Sequence, residues 1–189
     1  MLARIIKETT DAVAAAVQGV DNILDAVTGS VKDQVVNLLK GTGEIAGSGV
    51  EVIASVASGA VKGAAEVGST LTETAFGTMS GVVKGASQVG GDVIGAVRGA
   101  AEGIVKGAAD TGGDVGTAAV AAVQGAIKAA GDVGADTSEA AKSAVGGALE
   151  AATSVGGDAV ETVRSALLST ASLPRDVVES AIKGSQDKE

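Results

Sequence analysis

A fixed repeat of 22 residues runs through most of this chain. Seven units cover residues 16–169, and the last four follow one another without a change of length. These four read VVKGASQVGGDVIGAVRGAAEG, IVKGAADTGGDVGTAAVAAVQG, AIKAAGDVGADTSEAAKSAVGG and ALEAATSVGGDAVETVRSALLS. A period of constant length is the mark of a repeat architecture, in which one structural unit is used many times.

Apolar residues within a unit follow one another at steps of four, three and four. In the central units this apolar stripe consists of Val82, Ala86, Val89, Val93, Val97, Ala100 and Ile104. Eleven residues in three turns correspond to about 3.67 residues per turn, which keeps the apolar positions on one helical face. The spacing therefore predicts an amphipathic helix with a broad face of Ala and Val.

Most units carry Gly-Gly-Asp or a near variant at their centre. The kink or cap residues predicted from this motif are Gly90, Gly91, Asp92, Gly112, Gly113, Asp114, Gly156, Gly157 and Asp158. Two all-α folds are compatible with it: one long kinked amphipathic helix, or an antiparallel array of ~18-residue helices joined at Gly-Gly-Asp turns. An up-and-down array would normally alternate two kinds of helix and double the period, so we favour the long kinked helix.

Three glycines, Gly99, Gly103 and Gly107, follow one another at steps of four on the polar side of the predicted helix. Small residues at this spacing clear one line along a helix and permit a neighbouring helix to approach closely. We therefore predict these three as close-packing residues. The chain contains 29 glycines, so chance produces such a spacing as well.

Composition divides the chain into four segments. Residues 1–39 are predicted to form an N-terminal amphipathic helix, and residues 40–157 to form the Gly/Ala/Val-rich 22-residue helical repeats. Residues 158–184 are predicted to form a C-terminal helical segment with a break near Pro174, because Pro is tolerated only in the first turn of a helix. Residues 185–189 are predicted to form a polar tail.

Several function classes are disfavoured by composition. The chain has no His, Cys, Trp or Tyr, so we predict no enzyme and no catalytic, cofactor or metal site. A net charge of −9 argues against nucleic acid as a partner. The longest uncharged run, residues 115–127, is shorter than the about 20 residues of a membrane-spanning helix. Without a secretion signal, we expect a cytoplasmic location, either free or peripheral on a membrane, droplet or granule.

The segments VKGAADTGGDVGTA and VKGASQVGGDVIGAV resemble the 11-residue repeats of the perilipin and synuclein type. The 22-residue unit is also similar in length to the repeat of exchangeable apolipoproteins. The resemblance implies a chain that becomes helical on a lipid surface. Departures from these families are the position of Lys in the middle of the polar face and the use of Gly-Gly, rather than Pro, between units.

Three functions follow as hypotheses from the broad apolar face. The first is a structural protein whose repeated helix coats a lipid or other apolar surface, such as a droplet, granule or membrane. The second is a self-assembling protein that forms filaments, tubes or sheets by lateral packing of Gly/Ala faces with copies of itself. The third is protection against desiccation. All three are non-enzymatic.

Overall fold

The computed structural model describes residues 2–17, 22–42 and 48–186. These residues form α-helices and no strand. In chain order the helices are α1 (Leu2–Val17), α2 (Ile23–Thr42), α3 (Ser48–Glu66), α4 (Leu71–Gln88), α5 (Val93–Asp110), α6 (Val115–Asp132), α7 (Thr137–Val155), α8 (Ala159–Ser169) and α9 (Arg175–Gln186).

The helices are arranged in two layers. The odd layer contains α1, α3, α5, α7 and α9 side by side, and the even layer contains α2, α4, α6 and α8. Each helix also packs on the helices directly before and after it, which belong to the opposite layer. The chain is therefore an antiparallel array that changes layer at each turn.

The turns that follow α3, α4, α5 and α6 share one design, shown by the turn after α4. Gly90 has a φ of 69°, a conformation that glycine adopts without a steric penalty. The Gly91 N–H donates to the Ala86 carbonyl at 2.9 Å, and the Gly90 N–H donates to the Ser87 carbonyl at 3.0 Å. This pair of bonds is a Schellman motif, which satisfies the last carbonyls of the helix and ends it.

An acidic or hydroxyl side chain then starts the next helix. The Asp92 carboxylate accepts a hydrogen bond from the Gly95 N–H at 2.9 Å, and the Asp136 carboxylate accepts one from the Glu139 N–H at 2.8 Å. Thr70 caps α4 in the same way. Such caps satisfy a backbone N–H that has no partner within the helix. Each of these four turns thus ends one helix and begins the next within four residues.

The prediction of one long kinked helix is wrong, and the array that we ranked second describes the fold. A positive-φ glycine followed by a capping residue reverses the chain instead of bending it. The reversal allows the apolar stripe to pack on other helices, whereas a continuous helix leaves that stripe in water. One kind of unit serves both layers, since each inner helix meets neighbours in its own layer and in the opposite one.

The N-terminal end of the chain differs from the prediction of a single helix. Residues 1–39 were predicted as one helix but contain α1 and most of α2, with residues 18–21 outside the described part. Residues 158–184 contain α8 and most of α9, and Pro174 lies directly before α9. Most of the predicted tail, residues 187–189, lies outside the described residues.

The core between the layers is built from small side chains. Ala and Val make up most of the buried apolar residues. The larger side chains among them include Met79, Ile104 and Leu167. Small side chains keep the helix axes close, so that backbone contacts contribute to the packing.

Candidate functional site

The three glycines predicted to allow close packing lie on the side of α5 that faces α3. A methyl group built on Gly99 would lie 2.5 Å from the Val50 carbonyl oxygen, and one built on Gly107 would lie 2.9 Å from the Val61 Cβ. At Gly103, the middle position, the methyl group would overlap the Ala54 carbonyl oxygen. The two helices therefore touch along their backbones, and no side chain fits between them.

In five of the seven units the last residue is a glycine that packs closely on a neighbouring helix. A methyl group on Gly59 would lie 2.6 Å from the Ile6 carbonyl oxygen, and one on Gly81 would lie 2.7 Å from the Thr28 carbonyl oxygen. In each case the glycine faces the preceding helix of its own layer. Gly103 and Gly147 also meet a carbonyl oxygen, whereas a methyl group on Gly125 would lie 3.1 Å from the Met79 Cβ.

The final unit breaks this pattern. It ends in Ser169, and Ser165 stands where the unit two before it has Ala121. Both serines line a groove of about 710 Å³ between α6 and α8. This groove was not predicted from the sequence, because a serine at the place of a repeated glycine becomes informative only when the contact of that glycine is known.

The charged side chains that line the groove are all acidic among the described residues. Asp114, Asp158 and Glu161 line it together with several Ser and Thr side chains, and the described lining residues include no Lys or Arg. All three carboxylate residues are exposed. The mouth of the groove is therefore acidic.

Two of the predicted cap residues face this groove and differ in their bonding. The Asp114 carboxylate accepts a hydrogen bond from the Thr117 N–H at 2.5 Å. The Thr117 backbone and side chain lower the pKa of Asp114, because they hydrogen-bond to the charged carboxylate. Asp158 makes no side-chain cap bond, and both Gly156 and Gly157 have positive φ values. The turn before α8 thus has a different geometry from the turns at Gly90–Asp92 and Gly112–Asp114.

The predicted apolar stripe is covered by the same chain. Val82, Ala86, Val97, Ala100 and Ile104 are buried. Val89 and Val93 are half-buried on the two sides of the α4–α5 turn. Leu2 and Val155 are the large apolar side chains with the greatest exposure among the described residues, at 41% and 43%. The folded surface therefore presents no continuous apolar face over these residues.

Two other kinds of site, a metal cluster and a membrane-spanning helix, are absent from the described residues. No group of three or more acidic residues in the described part of the chain is placed to hold a metal ion. Across the described residues, no helix combines the length and the apolar character needed to cross a membrane.

Comparison with known proteins yields a structural likeness only. No protein-family model matches the chain, and no curated protein matches its sequence. The crystal structure of the de novo designed helical repeat protein DHR7 is similar, with a TM-score of 0.51 and 20% sequence identity. The alignment covers 100% of this chain and 96% of the designed one. At this identity the likeness shows the fold, a helical repeat array, and nothing about function.

Proposed function

We propose that this chain is a non-enzymatic structural protein that works in its closed form, as a helical-repeat scaffold whose polar outer surface meets other proteins. The observation that carries the proposal is the backbone contact between Gly103 and Ala54, repeated at other unit-final glycines. A coat on an apolar surface requires only an apolar face. It does not require positions at which a single methyl group would overlap a neighbouring helix.

Composition supports the non-enzymatic part of the proposal. The chain offers no His, Cys, Tyr or Trp, so the usual proton-transfer and nucleophilic side chains are restricted to carboxylates, Lys, Ser and Thr. Asp114 is the carboxylate with a lowered pKa, which favours its charged form and a capping role. A general acid needs the opposite shift.

The charged surface of the first helix supports a closed scaffold over a filament. On α1, Arg4 pairs with Glu8 at 2.7 Å and Lys7 pairs with Asp11 at 3.0 Å, all on exposed side chains. Repeat proteins need terminal units with polar outer faces to stay soluble and to stop stacking. A charged first helix disfavours growth by end-to-end stacking, and so disfavours the self-assembly hypothesis.

The surface coat remains a second candidate because of one observation at the turns. Val89 and Val93 lie on the two sides of the α4–α5 turn, and their separation of four residues continues the 11-residue spacing of the apolar stripe across the turn. Opening the array and straightening this turn would produce one continuous apolar face. Such a helix could cover a droplet, granule or membrane surface from the cytoplasm.

Circular dichroism and light scattering, in plain buffer and with added surfaces, distinguish the two candidates. The surfaces are phosphatidylcholine vesicles and a triacylglycerol emulsion. The scaffold predicts high helix content in buffer, a monomer mass, and no change when either surface is added. Helix that appears only with a surface would support the coat and contradict the scaffold, and large particles in buffer would support self-assembly.

Replacement of Gly99, Gly103 and Gly107 by Leu provides a second test with opposite predictions. In the closed scaffold the three side chains collide with α3, so helix content and thermal stability fall. In the coat the added apolar side chains increase binding to vesicles. A variant with full stability in buffer would contradict the scaffold.

A further inference from the structure

We propose that the groove between α6 and α8 is a docking site for a basic helix of a partner protein. The proposal rests on the scaffold function proposed above and adds the place and the charge of the contact. Three features of the groove carry it: its shape, its acidic lining, and the serine that ends the last unit where five other units end in glycine.

The shape of the groove follows from the side chains of α8. Gly81 in α4 and Gly125 in α6 bring their helices into contact with the preceding helix of the even layer, but α8 carries Ser169 at this place. The lining residues on α6 lie between 114 and 124, a length of about 16 Å or three turns of helix. Within the groove α6 and α8 are in contact at Gly116, where a methyl group would lie 3.0 Å from the Ala166 Cβ, so a third helix would lie over this contact and not between the two helices.

Two of the three carboxylates that line the groove have no partner among the described residues, whereas Asp114 accepts the Thr117 N–H. On the outer face of the odd layer, Asp110 pairs with Lys62 at 2.7 Å and Glu150 pairs with Arg98 at 2.7 Å. Asp158 and Glu161 have no ion pair with any described residue. Asp158 also has no capping bond, so its carboxylate is available to an outside group.

This combination selects a cationic helix over other occupants. Lys or Arg residues three or four positions apart lie on one side of a helix and can reach carboxylates along the groove. The Ser165 hydroxyl adds a hydrogen-bond partner along α8, and the Thr162 hydroxyl, which donates to the Asp158 carbonyl at 2.9 Å, can still accept a hydrogen bond. An acidic or uncharged helix gains none of the charge complementarity that guides association.

The test uses the full chain and two labelled helical peptides. One is an alanine peptide with Lys at every third or fourth position, and the other has Glu in place of each Lys. We expect the Lys peptide to bind with an affinity that falls as salt is added, and the Glu peptide not to bind. The double variant Asp158→Asn/Glu161→Gln should bind the Lys peptide about three- to tenfold more weakly.

Two further variants distinguish binding of the Lys peptide in the groove from its general attraction to an acidic protein. The control Glu66→Gln/Glu139→Gln removes the same charge at exposed positions outside the groove and should leave the affinity unchanged. Ser165→Leu fills the groove without a change in charge and should weaken binding. Ser165 is exposed, so this variant should still fold.

Absence of Lys-peptide binding, equal losses in the two double variants, or full binding by Ser165→Leu would each overturn the proposal. A chain that dimerises through the groove, with the dimer lost in Ser165→Leu, would make the occupant a second copy and would also overturn it. Helix content and monomer mass in buffer are measured on the same samples. A folded monomer that does not bind the peptide refutes the docking site alone, whereas an unfolded chain refutes the scaffold.

Discussion

The α-carbon of Gly103 in α5 lies against the main-chain carbonyl of Ala54 in α3, so closely that a methyl group on Gly103 would overlap that oxygen. This contact holds two helices of the odd layer together through their backbones. Glycine in a helix interior costs about 1 kcal/mol relative to alanine. The close packing that it permits is the compensating gain in this fold.

Replacement of Gly103 by Ala should destabilise the chain, whereas replacement of Gly29 by Ala should not. The Gly103→Ala methyl group forces α5 and α3 apart, at a cost of about 1–3 kcal/mol. Gly29 lies inside α2 with no atom near its Cβ position, so Gly29→Ala should add up to about 1 kcal/mol through helix propensity. Urea unfolding of both variants measures the change in the free energy of unfolding, which we expect to be negative for Gly103→Ala and zero or positive for Gly29→Ala. A neutral or stabilising Gly103→Ala would refute the backbone contact.

The two aspartates at the groove should respond differently to truncation. Asp114→Ala removes the acceptor of the Thr117 N–H and should lower the free energy of unfolding by about 1 kcal/mol. Asp158 makes no cap bond, so Asp158→Ala should change stability by less than about 0.5 kcal/mol. Thermal unfolding of the two variants is the measurement. Equal losses would show that Asp158 caps α8 after all.

The lowered pKa of Asp114 predicts loss of stability in acid. Because folding depresses this pKa, the stabilisation is fully present above the pKa of the unfolded chain and disappears as the pH falls through the folded value. The Asp114→Asn variant should therefore lose less stability than the native chain between neutral pH and pH 2. Unfolding free energies across this range test it, and parallel pH profiles would contradict the assignment.

Replacement by Val should lower the free energy of unfolding at one buried threonine and not at another. The Thr10 hydroxyl bonds to the Ile6 carbonyl at 2.9 Å and the Gly59 carbonyl at 3.1 Å, so Thr10→Val should cost about 1 kcal/mol. The Thr74 hydroxyl is buried and has no hydrogen-bond partner among the described residues. Thr74→Val should therefore be neutral or stabilising. Chemical unfolding distinguishes them, and a large loss at Thr74 would indicate an unseen partner such as a bound water.

Truncation of the apolar stripe tests whether it is covered in the free chain. Ile104 is fully buried, so Ile104→Ala should lower the free energy of unfolding by about 2–5 kcal/mol. Leu2 is 41% exposed, and Leu2→Ala should cost less than about 0.5 kcal/mol. Denaturant titration of both in buffer gives the comparison. Similar small effects would mean that the stripe is not packed against its own chain.

Part of this fold is predictable from the sequence for a physical reason. The steps of four and three from Val82 to Ala86 and Val89 are compatible with a helix and not with a strand, so the all-α class follows from the residues alone. Choosing between the long helix and the array is harder, because glycine followed by Asp suits both a flexible kink and a helix end. The layer change at each turn depends on burial of the stripe, a long-range property that local spacing does not encode.

The groove, too, could be predicted only in part from the sequence. A repeated glycine such as Gly81 or Gly125 indicates a close contact only when the neighbouring helix is known, and Ser169 stands out only after that contact is seen. The glycines at steps of four in α5 could be selected from the sequence, but their partners on α3 could not. Charges at Asp158 and Glu161 are visible in the sequence, whereas their lack of partners is a property of the fold.

The most direct test of the closed array is the distance between positions 62 and 110 in the free chain. The Lys62 Nζ and Asp110 Oδ2 atoms lie 2.7 Å apart across α3 and α5, whereas on one continuous helix the two residues would be about 72 Å apart. The chain has no native Cys, so spin labels can be attached at these positions through Lys62→Cys and Asp110→Cys alone. In buffer the account predicts one population of short distances, and a population near the length of the continuous helix would contradict it.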